Sequence, residues 1–515
     1  MLKYLIMMTC LVLSACGTDS SSPSTSFPTG PFDLESLNWT QTNGTYFLVV
    51  GGGSSPKSSQ LTLEYNLELF SELTQTYGHS DAFDTYLFGA GHQKNELDVK
   101  EKLSNLSDMD QELLMLYHNE SDAITTYRHN HLEGILNGSS YRNNVLSALQ
   151  SISQNITSQE DKFRFYFTGH GSPETTEEKH YHNNKFHLWE DTEINVQDFI
   201  NALDQFPKEV PTQILMVQCY AGGFARLIYE GGKSQNGLRP HNQCGFFASL
   251  PSETSAGCSP SLKKRKEYSQ YFFSAYRKHT EEGETVQADA NLDGIITSNE
   301  AHAYALVADE SIDTPITTSD FLLINHPDIE TPKNHEKQPI VNWIQTMDPL
   351  RQKVVDGLSK SLNLEITPML NLKDIKEHGK NFVEIESKAL QEVYPNTKDK
   401  YEELKKNLMT PIHEQYPNIF HTSPAFENLP FWKRNFFYAL LTNHPDYTEL
   451  SQTKAFLENT LIPDFEKYEK QIAYYQRLIT LILVEMYKQE LLKRKDAALK
   501  NKFKQLVACE DQSYF

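Results

Sequence analysis

The chain has 515 residues and a formal net charge of −21 at neutral pH. That is long for one folded unit, and an acidic balance without a long basic run excludes a protein that tracks a phosphate backbone. The 28 Phe and 26 Tyr supply ample core material.

Met1-Leu2-Lys3 is a short basic start, and Tyr4 to Leu13 is an apolar stretch too short to span a bilayer. Small residues then lead into Leu13-Ser14-Ala15-Cys16-Gly17. This segment resembles the lipobox of bacterial lipoproteins. The resemblance implies a signal peptide over 1–15 and lipidation of Cys16, which becomes the mature N-terminus. Residues 16–32, rich in Ser, Thr and Pro, suit a flexible tether. The expected location is the cell envelope, lipid-anchored. Gly17 rather than Asp after the cysteine points to the outer membrane.

From Tyr46 to about Ala308, strand-like and helix-like runs alternate. Tyr46–Val50 is a continuous apolar run that stops at Gly51-Gly52-Gly53. Leu61–Tyr77 carries apolar residues at helical spacing, and Thr85–Phe88 runs into Gly89-Ala90-Gly91. Asn143–Ile156 reads as a helix, followed by the apolar strand Phe163–Thr168 and the turn Gly169-His170-Gly171. Asn195–Phe206 reads as a helix, followed by Ile214–Gln218, Cys219 and a glycine-containing turn. Short apolar strands alternating with amphipathic helices predict an α/β fold, a mainly parallel sheet covered on both faces, over 33–328. Ligands of such sheets sit beyond the carboxyl ends of the strands. His170 and Cys219 both fall there. A thiolate is a strong nucleophile and an imidazole can carry its proton, so the pair is the candidate active site.

Gly51–Ser58 nearly matches a phosphate-binding loop, but Pro56 stands where the second glycine belongs and has no N–H to give. His180, His182 and His187 read as members of a solvated loop. Lys263-Lys264-Arg265-Lys266 reads as a solvated helix start. Asp289–Glu300 fits the EF-hand calcium loop at every position, with oxygen ligands from Asp289, Asn291, Asp293, the Ile295 carbonyl, Thr297 and Glu300. The competing reading is an acidic turn in which Thr297 and Glu300 form a capping box. A single loop suits a structural Ca²⁺; no organic cofactor is expected. Export allows disulfides, and Cys244 and Cys258, neighbours in sequence, are the candidate pair; Cys509 has no obvious partner. Residues 329–339 read as a linker and 340–515 as an all-α domain, with one apolar stripe at Ile472, Tyr475, Ile479, Ile482 and Met486.

Three blocks in order resemble the legumain-type, caspase-fold cysteine peptidases: Tyr166–Ser172, Met216–Gly222 and Ala248–Cys258. The 49 residues from His170 to Cys219 are close to the roughly 50 between His and Cys in caspases. The resemblance implies a caspase-like sheet and an endopeptidase. Cys219 attacks the scissile carbonyl, His170 acts as acid and base, and the N–H groups of Cys219 and Gly171 form the oxyanion hole. Glu253, beside Ser252, matches a pocket-wall acid. The expected residue before the cut is Asn, with Lys and Arg open and Asp disfavoured at neutral pH. Two departures stand out. The family's Asn after the first strand is absent from Gly51-Gly52-Gly53, and Ser58-Ser59-Gln60 replaces its pocket Arg. A dyad therefore replaces a triad. Legumains carry C-terminal helices that cover the active site until cleaved, so 340–515 is a candidate lid and Asn334 its cut site. A transpeptidase of the same fold and a catalytically idle, calcium-stabilised binding lipoprotein are the alternatives. The expected partners are a protein or peptide substrate and a membrane.

Overall fold

The computed structural model describes residues 34, 44–79, 84–93, 95–103, 107–117, 125–156, 160–174, 182–263, 265–330, 335–416 and 430–515. The expected signal peptide, Cys16, the tether, His180, Lys264 and Asn334 lie outside them.

The sheet strands are β1 (Thr45–Gly52), β2 (Asp84–Phe88), β3 (Leu136–Gly138), β4 (Lys162–Gly169), β8 (Thr212–Val217), β9 (Gln243–Phe247) and β10 (Ile316–Thr317). They form a seven-stranded sheet in the order β10-β9-β8-β4-β1-β2-β3. All neighbours are parallel except β9 and β10. A three-stranded antiparallel sheet, β5 (Gly171–Ser172), β6 (Lys185–Leu188) and β7 (Thr192–Asn195), follows the His170 turn. The α/β fold expected from sequence is therefore the fold observed.

The central strands are apolar throughout because both faces are covered. Along β1, Tyr46, Leu48 and Val50 enter one core, and Phe47 and Val49 enter the other. The first core is closed by α2 (Arg142–Asn155), α3 (Val196–Leu203) and α6 (Thr318–Asn325). The second is closed by α1 (Leu61–Thr76), α4 (Tyr268–Arg277) and α5 (Ser298–Ala308).

The helical C-terminal region is present but divides differently from a single domain over 340–515. One compact unit joins the described residues up to Lys100 with those of Arg128–Glu377 and Ile472–Phe515; the other comprises the described residues of Glu101–Tyr127 and His378–Gln471. In the second, helices Phe431–Thr442 and Tyr447–Phe456 pack Phe437, Leu441 and Leu450 with Leu113, Leu114, Leu408 and Met409. The returning segment of the first holds the end of α8 (Ile462–Lys493) and all of α9 (Ala497–Glu510). Buried Arg164 of β4 donates to the carbonyls of Ser513 and Tyr514, both at 3.1 Å. Tyr514 in turn donates to Phe165 O at 2.7 Å.

The disulfide expected between Cys244 and Cys258 is not formed. Cys244 pairs with Cys509, 265 residues away. The reason is the sheet itself: Cys244 faces the first core with Cys509, and Cys258 lies in the second. Arg265 is no solvated residue either. It is buried, donating to Glu267 at 2.7 Å and pairing with Glu281 and Asn66. Among the described residues no helix is long and apolar enough to cross a membrane.

Candidate active site

Strands β4 and β8 are neighbours, with Val217 opposite Thr168 as the last pair. Carried past the strand ends, that register sets Cys219 opposite His170 at the carboxyl edge. The turn closes tightly: a Cβ on Gly171 would lie 2.3 Å from Cys219 O and 2.7 Å from Gln218 Cγ. Only glycine fits, and the reason is contact with the backbone of Cys219.

His170 is held from the segment after β1. Its Nε2 lies 2.7 Å from Ser58 O and 3.1 Å from Gln60 Oε1. A carbonyl only accepts, so Nε2 carries the hydrogen and Nδ1 is the basic nitrogen of the neutral ring. Nδ1 lies 3.9 Å from Cys258 Sγ. Burial pushes the ring's pKa down to about 4, and the charge of His187 adds to this; the Ser58 hydrogen bond opposes both. At neutral pH the resting ring is uncharged.

Cys219 is fully buried. The Ser255 N–H points at its Sγ from 3.4 Å, and Ser255 O is 3.7 Å away. A thiolate formed there meets a donor already in place. Burial also means that a reagent reaches this thiol only if the edge opens.

Ser255 belongs to the third block. The chain leaves the sheet at Phe247, and Ala248–Cys258 runs without further strand structure, unlike the strand the resemblance implies. Glu253 uses its main-chain oxygen to accept the Tyr220 N–H at 2.7 Å, which sets this wall beside the residue following Cys219. Burial pushes its carboxyl up to about 7, against a weaker opposing hydrogen bond from the Ser252 hydroxyl at 3.3 Å. His187 is not in a solvated loop: it stands on β6, and its Nε2 is 2.9 Å from Ser172 Oγ.

In the EF-hand-like loop, Asp289 accepts the N–H groups of Leu292 at 2.6 Å and Gly294 at 2.8 Å, and Gly294 takes φ +88°, the conformation glycine permits. Thr297 caps α5, and Glu300 accepts the N–H groups of Thr297 and Ala290 at 3.0 and 2.9 Å. The capping box is thus present. The donor set of Asp289, Asn291, Asp293, Ile295 O, Thr297 and Glu300 is all oxygen, as Ca²⁺ requires. Among the described residues no three His, Cys, Asp or Glu side chains converge as a metal-holding group. The carboxylates of Asp289, Asp293 and Glu300 are thus not drawn together as a metal-holding group.

Of the residues that sequence brought forward, His170, Gly171, Cys219 and Glu253 lie at one sheet edge. Ser58, Gln60, Ser255 and Cys258 complete the surroundings and were missed as contributors. The one available signal was the place of Ser58-Ser59-Gln60 just after β1, on the strand next to β4.

The molecule is thus an α/β protein built on a mainly parallel sheet, with a Cys and a His at the carboxyl edge. No protein-family model matches the chain, and no curated protein is similar to it. One solved structure that it resembles is protein GSU0716 from Geobacter sulfurreducens, at 12% identity and a TM-score of 0.30, covering 53% of this chain and 92% of that one. That likeness is too slight to carry an argument.

Proposed function

We propose that the protein is a lipid-anchored cysteine endopeptidase of legumain-like type. The observation that carries the reading is the β4–β8 register, with the His170 ring held through Nε2 so that Nδ1 is its proton acceptor. In this mechanism Nδ1 takes the Cys219 proton and the thiolate attacks the scissile carbonyl carbon. The C=O electron pair moves to oxygen, which the Gly171 and Cys219 amides receive. The oxyanion collapses, the C–N bond breaks, and His170 returns its proton to the leaving amine. Water then attacks the thioester, giving the carboxylic acid and restoring the thiol. Glu253 and Ser252 form the pocket for the residue before the cut. The loop Asp289–Glu300 holds a structural Ca²⁺, and the Cys16 lipid fixes the protein at the outer membrane.

Full burial of Cys219 favours a second reading, a catalytically idle, calcium-stabilised binding lipoprotein. An electrophilic peptide probe with mass spectrometry separates the two. The peptidase reading expects Cys219 to be modified and peptide turnover to be absent in Cys219→Ala. Turnover in His170→Ala falls by roughly 10²–10⁴-fold. Turnover surviving in Cys219→Ala, or no modification under any condition, overturns it.

A further inference from the structure

The residue after Cys219 is held in an unfavourable conformation. Tyr220 has φ 62° and ψ 20°, in the left-handed region that an aromatic side chain rarely adopts. Such a conformation persists only where the surroundings over-determine it. Here both of its peptide groups are fixed. Its N–H donates to Glu253 O at 2.7 Å, and its carbonyl accepts the Asn184 Nδ2 at 2.9 Å and the Gly223 N–H at 3.1 Å.

Asn184 does more than hold Tyr220. The same Nδ2 donates to Pro251 O at 2.9 Å, so one side chain ties the turn behind the nucleophile to the pocket wall. Two carbonyls face that nitrogen, which fixes the orientation of the amide, since its oxygen would repel both. Asn184 is wholly buried, and its main-chain carbonyl accepts the Val196 N–H at the start of α3 at 3.0 Å. Space for it is reserved: a Cβ on Gly223 would lie 2.4 Å from Nδ2. The second glycine of Cys-Tyr-Ala-Gly-Gly is therefore needed for Asn184.

We propose that Asn184 is a positioning residue for Cys219: it clamps the strained Tyr220 turn and the Pro251 wall together and so sets the direction of the thiol. The inference rests on Cys219 being the nucleophile. Its test is a double-mutant cycle on the full chain between Asn184→Ala and Tyr220→Gly, because glycine adopts the left-handed turn without a clamp. The readout is the rate of Cys219 alkylation by iodoacetamide across pH, with melting curves alongside. Asn184→Ala should slow labelling on the order of tenfold, and in the Tyr220→Gly background the same change should cost less than about threefold. Gly223→Ala, which displaces Asn184 without removing it, should reproduce the loss and be relieved by the same glycine; it also serves if Asn184→Ala fails to fold. Equal losses in both backgrounds, or no loss in either, overturn the proposal. Normal alkylation without any peptide turnover in the wild type would instead overturn the peptidase reading, with the cycle still readable.

Discussion

At the scale of single residues, environment decides which chemistry each group can perform. Burial drives His170 and Glu253 in opposite directions, the ring towards neutrality and the carboxyl towards its protonated form. With a pKa of about 7, Glu253 is a hydrogen-bond donor below neutrality and an anion above it. In the proposed pocket, preference for a basic residue before the cut should therefore grow as pH rises through 7, at the expense of Asn. A peptide library scanned on both sides of pH 7 checks this, and Glu253→Gln should remove the pH dependence. A profile that is unchanged by pH and by the substitution would take Glu253 out of the pocket.

Elements supply the placement that residues alone lack. The loop Asp289–Glu300 is built to start α5, and its capping box already satisfies orphan N–H groups of that helix. Thr297→Ala should cost about 1 kcal/mol of stability in the metal-free protein through loss of the cap. If Ca²⁺ also binds, a hundredfold excess over Kd adds about 2.7 kcal/mol. A melting curve should then shift down with chelator in the wild type and stay fixed in Asp289→Ala. No shift in a protein verified to start with calcium present would leave only the acidic turn. Lys353 Nζ donates to Ala290 O at 2.8 Å, so α7 (Pro349–Ser361) is coupled to the same loop.

On the scale of the whole molecule, the C-terminal segment is part of the α/β unit. The Cys244–Cys509 bond joins β9 to α9, and buried Glu510 accepts from Thr318 Oγ1 at 2.7 Å and Ser319 Oγ at 2.6 Å. A nick in the linker between 330 and 335 should therefore leave both fragments covalently joined until a reductant is added. That is unlike a lid released by cleavage. Non-reducing against reducing electrophoresis reads it, and Cys509→Ala should lower stability by roughly 2–5 kcal/mol. Stability should also fall with rising pH above the ordinary histidine range. Glu510 is raised to about 7 and Asp313 to about 8 by burial, so the native state keeps protons that the unfolded chain has lost. Their contribution is complete below the unfolded carboxyl pKa, about 4, and is lost as pH passes about 7 to 8. His170 and His302, lowered to about 4, act oppositely: the unfolded chain binds the extra protons, and stability falls as pH drops from the free histidine value towards 4. The two pairs offset each other between about 4 and the free histidine value of about 6.5, so Tm should stay nearly level there and fall from that value to about 8; Glu510→Gln should lessen the part of the fall that runs up to about 7. An unaltered slope in that variant would remove Glu510 as a cause.

The sequence by itself determined the sheet and the two residues at its edge. A buried parallel strand is a continuous apolar run, and a run ending in glycine marks the carboxyl edge; Phe163–Thr168 into Gly169-His170-Gly171 states both locally. Strand order, register and partners across the sheet were not legible in that way. Ser58 and Gln60 meet His170, and Asn184 meets Tyr220, only because strands far apart in sequence lie side by side. Cys244 finds Cys509 rather than nearby Cys258 because the sheet puts the near pair in different cores. Local pattern records which face is apolar; which remote side chain meets that face is settled when the layers pack.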